Sequence, residues 1–309
     1  MSAVVWAAPY VPFTPPANPQ AVSEYTHLWH GVDGSTWDLC DRSSGVWMQA
    51  GIVGMGPAGI DRWTQTSPSL AGNLFGGTRT QALDVQWPMV FASKDDPAEW
   101  KRIVRRWRNA WSKDVAGQWE VIDSDGRSVS LGLRWNPQAG LALESDPGIW
   151  PRAHWTWDAI ADNPYWRGET VSRQWGSGQT PQPFFDTTTG MLPLHIMLAS
   201  SFNNATIENP GTVATSPVFT ITGPLDAFTI GVDDQTFTGP AVELGDQIIV
   251  DTSPQNPIAL LNGTTDVTRQ FTKWGSPSIP AGVTVPLTIT TAGTGTVRAE
   301  LTPLFEMGF

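Results

Sequence analysis

His27 and His30 stand at H-x-x-H spacing, and with Cys40, the only cysteine, they are the nearest approach to a metal-ligand set. Zinc wants three or four convergent ligands. On a helix the two histidines would share a face, but the segment reads as a strand, where three-residue spacing points them to opposite faces. Metal is therefore not expected, and Cys40 is expected to be a small buried hydrophobe. His154 and His195 stand alone and read as structural. Asp123-Ser124-Asp125-Gly126 opens like a calcium loop, yet no Glu follows at the required distance, and a hairpin turn accounts for the glycine. Gly72 to Gly77 lacks the Gly-Lys-Ser/Thr of a phosphate loop. There is no G-x-S-x-G elbow and no thiol-hydrolase signature around Cys40. No cofactor is implied. A carboxylate pair for glycoside hydrolysis depends on separations in space that a sequence does not carry.

Two further groups bear on binding. Trp274 and Phe271 are the few aromatics of the C-terminal third that could form a sugar platform; the competing reading of Trp274 is a packing plug. Lys101, Arg102, Arg105, Arg106 and Arg108 form a basic stripe, either a solvated helix face or a contact with acidic neighbours. DNA binding is disfavoured by a net charge of −11, because affinity for phosphates rests on Lys and Arg releasing counterions. Apolar runs such as Met89 to Ala92 fall far short of the roughly 20 residues a membrane-spanning helix needs. No Lys or Arg precedes Arg42, and prolines interrupt the first 20 residues, so no secretory signal is expected. A lone cysteine allows no internal disulfide, which suits folding in a cytoplasm.

The elements that must position these residues fall into two regions. Of 17 Trp, 16 lie between Trp6 and Trp175. Residues 1–176 carry a net charge of −3 and residues 177–309 a net charge of −8. This shift predicts a Pro-rich arm over 1–20, a first domain over 21–176, a linker over 177–200 opening on Gly176 to Pro183, and a second domain over 201–309.

In the first domain, Trp100, Ile103, Val104, Trp107 and Trp111 fall on one helical face, with Asp95 or Asp96 as cap and Pro97 in the first turn. Strands are predicted over 82–91, 118–122, 128–133 and 153–160, with a turn at Ser124-Asp125-Gly126. A β-sandwich with one helix is the simplest assembly. Short β-prone runs beginning at Val218, Phe228, Gln247, Ile258, Val285 and Val297, separated by Gly- and Pro-containing turns, make the second domain an all-β sandwich. Most of the tryptophans are assigned to core and subunit contacts, where a buried indole contributes large area and a partnered N–H.

Several stretches resemble the distal tail proteins of siphophages, in particular minor tail proteins of phages of actinobacteria. One is Trp155-Thr156-Trp157-Asp158-Ala159-Ile160-Ala161-Asp162-Asn163-Pro164-Tyr165-Trp166-Arg167-Gly168, similar to the strand that closes the family's N-terminal domain and enters an aromatic turn. Another is Leu28 to Leu39, with its Asp33-Gly34 turn, followed by Gly51-Ile52-Val53-Gly54-Met55-Gly56-Pro57. The third is the order of Pro217 to Gly223, Gly245 to Asp251, Leu261-Asn262-Gly263 and Pro280-Ala281-Gly282.

The resemblance implies a mainly β protein, a ring-forming belt domain of the β-sandwich or split-barrel kind followed by a galectin-like β-sandwich. It implies a non-enzymatic virion component of a long non-contractile tail tip. Its expected partners are five further copies of itself, the tail tube protein, the baseplate hub protein and the tape measure protein, with DNA only passing through the lumen. Acidic residues facing that lumen would keep DNA from adhering. Trp6, Tyr10, Phe13, Arg102, Arg105 and Arg106 are the expected ring contacts. The alternative is a carbohydrate-binding adhesin acting through Trp274 and Phe271; a tail hydrolase ranks third, for want of a catalytic constellation.

Overall fold

The structure is a computed structural model that describes residues 25–67, 71–94, 96–137, 146, 149–176, 200–201 and 205–309. The arm with Trp6, Tyr10 and Phe13, the stretch 177–199 with His195, and Asp95 lie outside the described residues. The fold is mainly β, and one sheet is nearly closed and barrel-like.

The first region contains β1 (Thr26–His30), β2 (Thr36–Asp38), β3 (Val46–Met48), β4 (Ile60–Thr66), β5 (Asn73–Thr80) and β6 (Leu83–Ala92). Helix α1 (Pro97–Asn109), β7 (Gly117–Ile122), β8 (Ser128–Trp135), β9 (Arg152–Ala161) and β10 (Trp166–Arg167) follow. The main sheet runs β2-β1-β7-β8-β9-β6-β3. Asp33 and Gly34 turn β1 into β2: the Ser35 N–H donates to Asp33 Oδ1 at 3.0 Å, and Gly34 takes φ +81°, where a Cβ would be strained. The β7–β8 hairpin closes at Ser124-Asp125-Gly126, with the Asp123 N–H donating to the Arg127 carbonyl at 2.9 Å.

Helix α1 begins where its cap predicts. Asp96 Oδ1 accepts from the Ala98 N–H at 2.8 Å, and Pro97 occupies the first turn, where its missing N–H costs nothing. Its inner face buries Trp100, Ile103 and Trp107. These join Trp29, Trp87, Trp111, Trp119, Trp157 and Trp166 in one core. Trp29 stacks on Trp111 at 3.7 Å between centroids, and Trp87 meets Trp119 edge-to-face at 5.0 Å.

This crowding corrects one expectation. Seven indole N–H groups, those of Trp29, Trp87, Trp107, Trp111, Trp119, Trp157 and Trp166, have no hydrogen-bond partner among the described residues. Each ring is surrounded by other rings, which carry no carbonyl oxygen; edge-to-face contacts offer only weak N–H···π compensation.

The second region comprises β11 (Val171–Gly176), β12 (Ser200–Ser201), β13 (Thr206–Asn209), β14 (Val218–Thr222), β15 (Leu225–Val232) and β16 (Gln235–Gly239). It continues with β17 (Gln247–Asp251), β18 (Ile258–Leu261), β19 (Thr265–Asp266), β20 (Val283–Pro286), β21 (Thr288–Gly293), β22 (Thr296–Leu301) and β23 (Leu304–Phe305). A six-stranded sheet, β11-β22-β14-β17-β18-β19, shares a core with a four-stranded sheet, β12-β21-β15-β16. Phe219, Ile221, Val250 and Val297 come from the first, Phe228, Ile230, Phe237 and Ile289 from the second. The run at Val285, expected as one strand, is two in different sheets. Pro286 brings no N–H, and the Leu287 N–H leaves the ladder to donate to the Ala205 carbonyl at 2.8 Å.

The two regions are joined by a ribbon. β11, which composition groups with the first domain, pairs with β22 of the sandwich; β23, from the last residues, pairs with β10 of the first sheet. Between them the Gly168 N–H donates to the Pro303 carbonyl at 2.9 Å, and the Thr170 and Thr302 hydroxyls meet at 2.9 Å. The strands flanking 177–199 both belong to the second region, one in each sheet.

Candidate assembly surfaces

The chemistry-bearing residues of the sequence do not converge. His27 is buried at 4% exposure and stacks on Trp119, while His30 faces outward on the same strand, as alternation requires. Burial lowers the His27 pKa to about 4, only partly offset by nearby Asp38. Cys40 is exposed, against expectation. It directly follows the buried Leu39, so alternation turns it outward. Its Sγ donates to the Tyr25 carbonyl at 3.5 Å, and partial desolvation raises its pKa, which makes it a poorer nucleophile. Among the described residues no group of His, Cys, Asp and Glu could hold a metal ion. No helix among them is long and apolar enough to cross a membrane.

One linear network was not expected. Thr36, His30, Glu120 and Ser128, on the adjacent strands β2, β1, β7 and β8, form a chain of side-chain hydrogen bonds. Thr36 Oγ1 lies 3.2 Å from His30 Nδ1, His30 Nε2 lies 2.8 Å from Glu120 Oε2, and Ser128 donates to Glu120 Oε1 at 2.6 Å. The Ser128 bond, then His30, holds the Glu120 carboxyl below its usual range. Hydroxyl, imidazole and carboxylate in a row resemble a catalytic triad, but the chain simply crosses four neighbouring strands, and the carboxylate is fixed from both sides. It is a cross-strand ladder, and its Glu120 and Ser128 border the cleft beside β10.

Exposed apolar side chains are scattered, Trp150 and Leu244 among them, but one element carries several. β4 and β5 form a two-stranded hairpin that pairs with no other strand among the described residues. It exposes Ile60 (54%), Trp63 (55%), Leu74 (54%) and Phe75 (69%). A lone hairpin is marginal in water, and clustered apolar side chains on a protein surface mark contact sites. Its base is tied by Gln81 Nε2 donating to Asp61 at 2.6 Å and by Thr80 meeting the Tyr165 hydroxyl at 3.0 Å.

The basic stripe is only partly free. Arg102 pairs with Glu99 at 2.5 Å and Asp96 at 3.6 Å, Arg106 lies over Trp37 at 5.2 Å, and Arg108 covers Trp135 at 3.8 Å. Lys101 and Arg105 are exposed and have no ion-pair partner among the described residues. In the sandwich, Phe271 and Trp274 pack against the core, in edge contact with each other at 5.2 Å and near Phe237. That geometry is a plug over the sandwich rather than an open platform.

A cleft of about 1180 Å³ separates the two regions beside the ribbon, lined by Glu120, Arg127, Arg167, Glu169, Arg173 and Glu306 among others. The chain end crosses it. The Arg127 guanidinium lies 4.4 Å from the Phe305 ring, and the Gly308 N–H donates to the Met55 carbonyl at 2.9 Å.

No family model matches the sequence, and no curated protein matches it. Solved structures do. The Dit protein (gp 19.1) of phage SPP1, described as a paradigm of the hub adsorption apparatus in phages infecting Gram-positive hosts, superposes with a TM-score of 0.61 at 13% identity. That match covers 91% of this chain and 99% of the other. A chain of the phage P2 baseplate in its activated conformation with Ca matches with a TM-score of 0.50 at 10% identity, over 89% and 97% of the two chains. The corresponding baseplate with Sr gives 0.50 at 9% identity, over 90% and 98%. At such identities the shared property is the fold, over nearly the full length of each chain.

Proposed function

We propose that this chain is a non-enzymatic structural subunit of the tip of a long phage tail, whose copies close into a ring between the tail tube and the baseplate hub. The observation that carries the reading is the likeness to the SPP1 Dit protein over 91% of the chain, which includes both regions rather than one common sandwich. The motif order near Trp155 and Asp33 extends it to phages of actinobacteria. A ring forms when head-to-tail contacts complete a rotation, so each subunit needs two different complementary patches. The exposed apolar side chains of the β4–β5 hairpin contribute to the contact. The exposed basic side chains Lys101 and Arg105 and the acidic sandwich are the complementary pair. DNA passes through the lumen of the ring, which acidic side chains line, and no chemistry is required of the subunit.

Imaging of the purified chain, alone and mixed with its tail tube subunit, tests this. Six-fold rings are expected, together with labelling of the tail tip by antibody on intact particles. Virions that lack the chain at the tail tip would overturn the proposal.

A further inference from the structure

One short segment bonds to both regions at once. The Leu304 carbonyl accepts the Thr212 and Val213 N–H groups at 2.9 and 3.1 Å, and the Glu306 N–H donates to Thr212 Oγ1 at 2.9 Å. Those partners belong to the sandwich. Leu304 also pairs with Arg167 of β10, and Phe305 with Trp166, and the Phe305 ring packs against the first core. The segment then runs onto the first region. There the Gly308 N–H reaches the Met55 carbonyl, and Gly308 lies against the fully buried Trp166.

Three glycines make this seat close-fitting. A Cβ on Gly211 would stand 2.5 Å from the Leu304 carbonyl oxygen. One on Gly168 would stand 2.7 Å from the Phe305 ring, and one on Gly308 2.7 Å from the Trp166 indole. None of the three has a positive φ, so close approach rather than turn geometry excludes a side chain there.

Away from the segment the two regions hold each other loosely. No residue belongs to both cores, and the cleft of about 1180 Å³ keeps their walls apart. The ion pairs of His30, Arg102, Arg134 and Arg298 each stay within one region. The chain crosses from one region to the other at Gly168 to Thr170 and returns beside it at Thr302 and Pro303. Crossings of so few residues are where hinges form.

We infer that residues 304–309 act as a clasp. Seated, they fix the sandwich against the first region; unseated, they free it to swing about Gly168–Thr170 while both cores stay folded. Relative motion is the default for two domains joined by a small contact, and the clasp suppresses it. The inference does not depend on ring formation and is tested on the monomeric fraction of the full chain.

The clasp can be released from either side. Gly308→Val pushes it off Trp166, and Gly211→Val pushes Leu304 off the sandwich. Spin labels on Lys101→Cys and Thr284→Cys, in a Cys40→Ser background, sit at exposed positions, one in each region. Pulsed dipolar spectroscopy then reads their separation. One narrow distance peak is expected with the native glycines, and a peak at least twofold broader in each Val variant. Gly132→Val, whose Cβ meets only Ala116 at 3.8 Å, is the control and should keep the narrow peak. Tryptophan emission, dominated by the first region, should keep its native wavelength in Gly211→Val, which does not touch the indole core. Unbroadened peaks in both Val variants, a native peak already as broad as theirs, or broadening only together with loss of the native emission would each overturn the inference.

Discussion

Trp87 and Trp63 carry the same side chain on neighbouring parts of the same region, and their surroundings oppose each other. Trp87 is fully buried, in edge contact with Trp29, Trp111 and Trp119. Trp63 stands 55% exposed on a hairpin whose strands pair, among the described residues, only with each other. An abundance of tryptophan therefore has two distinct consequences. Nine described indoles, Trp29, Trp37, Trp87, Trp100, Trp107, Trp111, Trp119, Trp157 and Trp166, are buried in the chain's own core. Four residues of one hairpin, Ile60, Trp63, Leu74 and Phe75, stay exposed instead.

The core side of this contrast should break first. Trp87→Ala removes a fully buried indole from among three others, and large-to-small changes of this kind cost about 3–5 kcal/mol. Denaturant unfolding is the measurement. A loss under 1 kcal/mol would mean the cluster repacks and is not the stabilising core described here.

Acid should act next, through His27. Its folded pKa of about 4 lies below the usual 6.5, so the unfolded chain binds the proton more tightly. The contribution is complete above pH 6.5, is lost progressively as pH falls toward about 4, and is constant below that. The total is at most about 3 kcal/mol for a shift of this size. Glu120, whose pKa is depressed, adds a separate loss only in more acidic solution, below its unfolded value of 4.5. His27→Gln should flatten the stability profile between pH 6.5 and 4.5 relative to wild type. An unchanged slope would assign the acid sensitivity to other groups.

Both regions contain elements that the sequence shows and elements that it hides. Helix α1 is legible because its start is chemical, Asp96 then Pro97, and its buried positions repeat at helical spacing. The β1–β2 and β7–β8 turns are legible for the same reason, since Gly34 and Gly126 take positive φ that few other residues tolerate. The β4–β5 hairpin leaves no such trace: neither face of Ile60–Thr66 is buried, so no alternation of apolar and polar residues arises. The ribbon is invisible for another reason. Trp166 pairs with Phe305 and Val171 with Leu301, and register between strands so far apart in sequence has no local signature. A composition shift near residue 176 locates a change of environment, not a change of sheet.

The cap of α1 gives a smaller effect on the core side. Asp96→Ala removes the acceptor of the Ala98 N–H and one partner of Arg102, and should cost about 1 kcal/mol. Asp96→Asn, which keeps an acceptor, should recover most of it. Equal losses in both variants would mean the carboxylate acts by charge rather than as a cap.

The smallest effect on folding is expected where the exposed aromatics are densest. Trp63→Ser combined with Phe75→Ser removes two side chains that water already reaches, so monomer stability should change by less than about 0.5 kcal/mol. Exposed aromatics that become buried on association are where binding energy concentrates, so self-association should weaken by at least about tenfold. Thermal unfolding in the monomeric fraction and concentration-dependent mass measurements separate the two readouts. A stability loss near that of Trp87→Ala would place the hairpin in the fold's own packing and erase the contrast. Unchanged stability with unchanged association would leave the contrast in burial but remove the hairpin from the ring contact, and the exposed Lys101 and Arg105 would then be the next residues to reverse in charge.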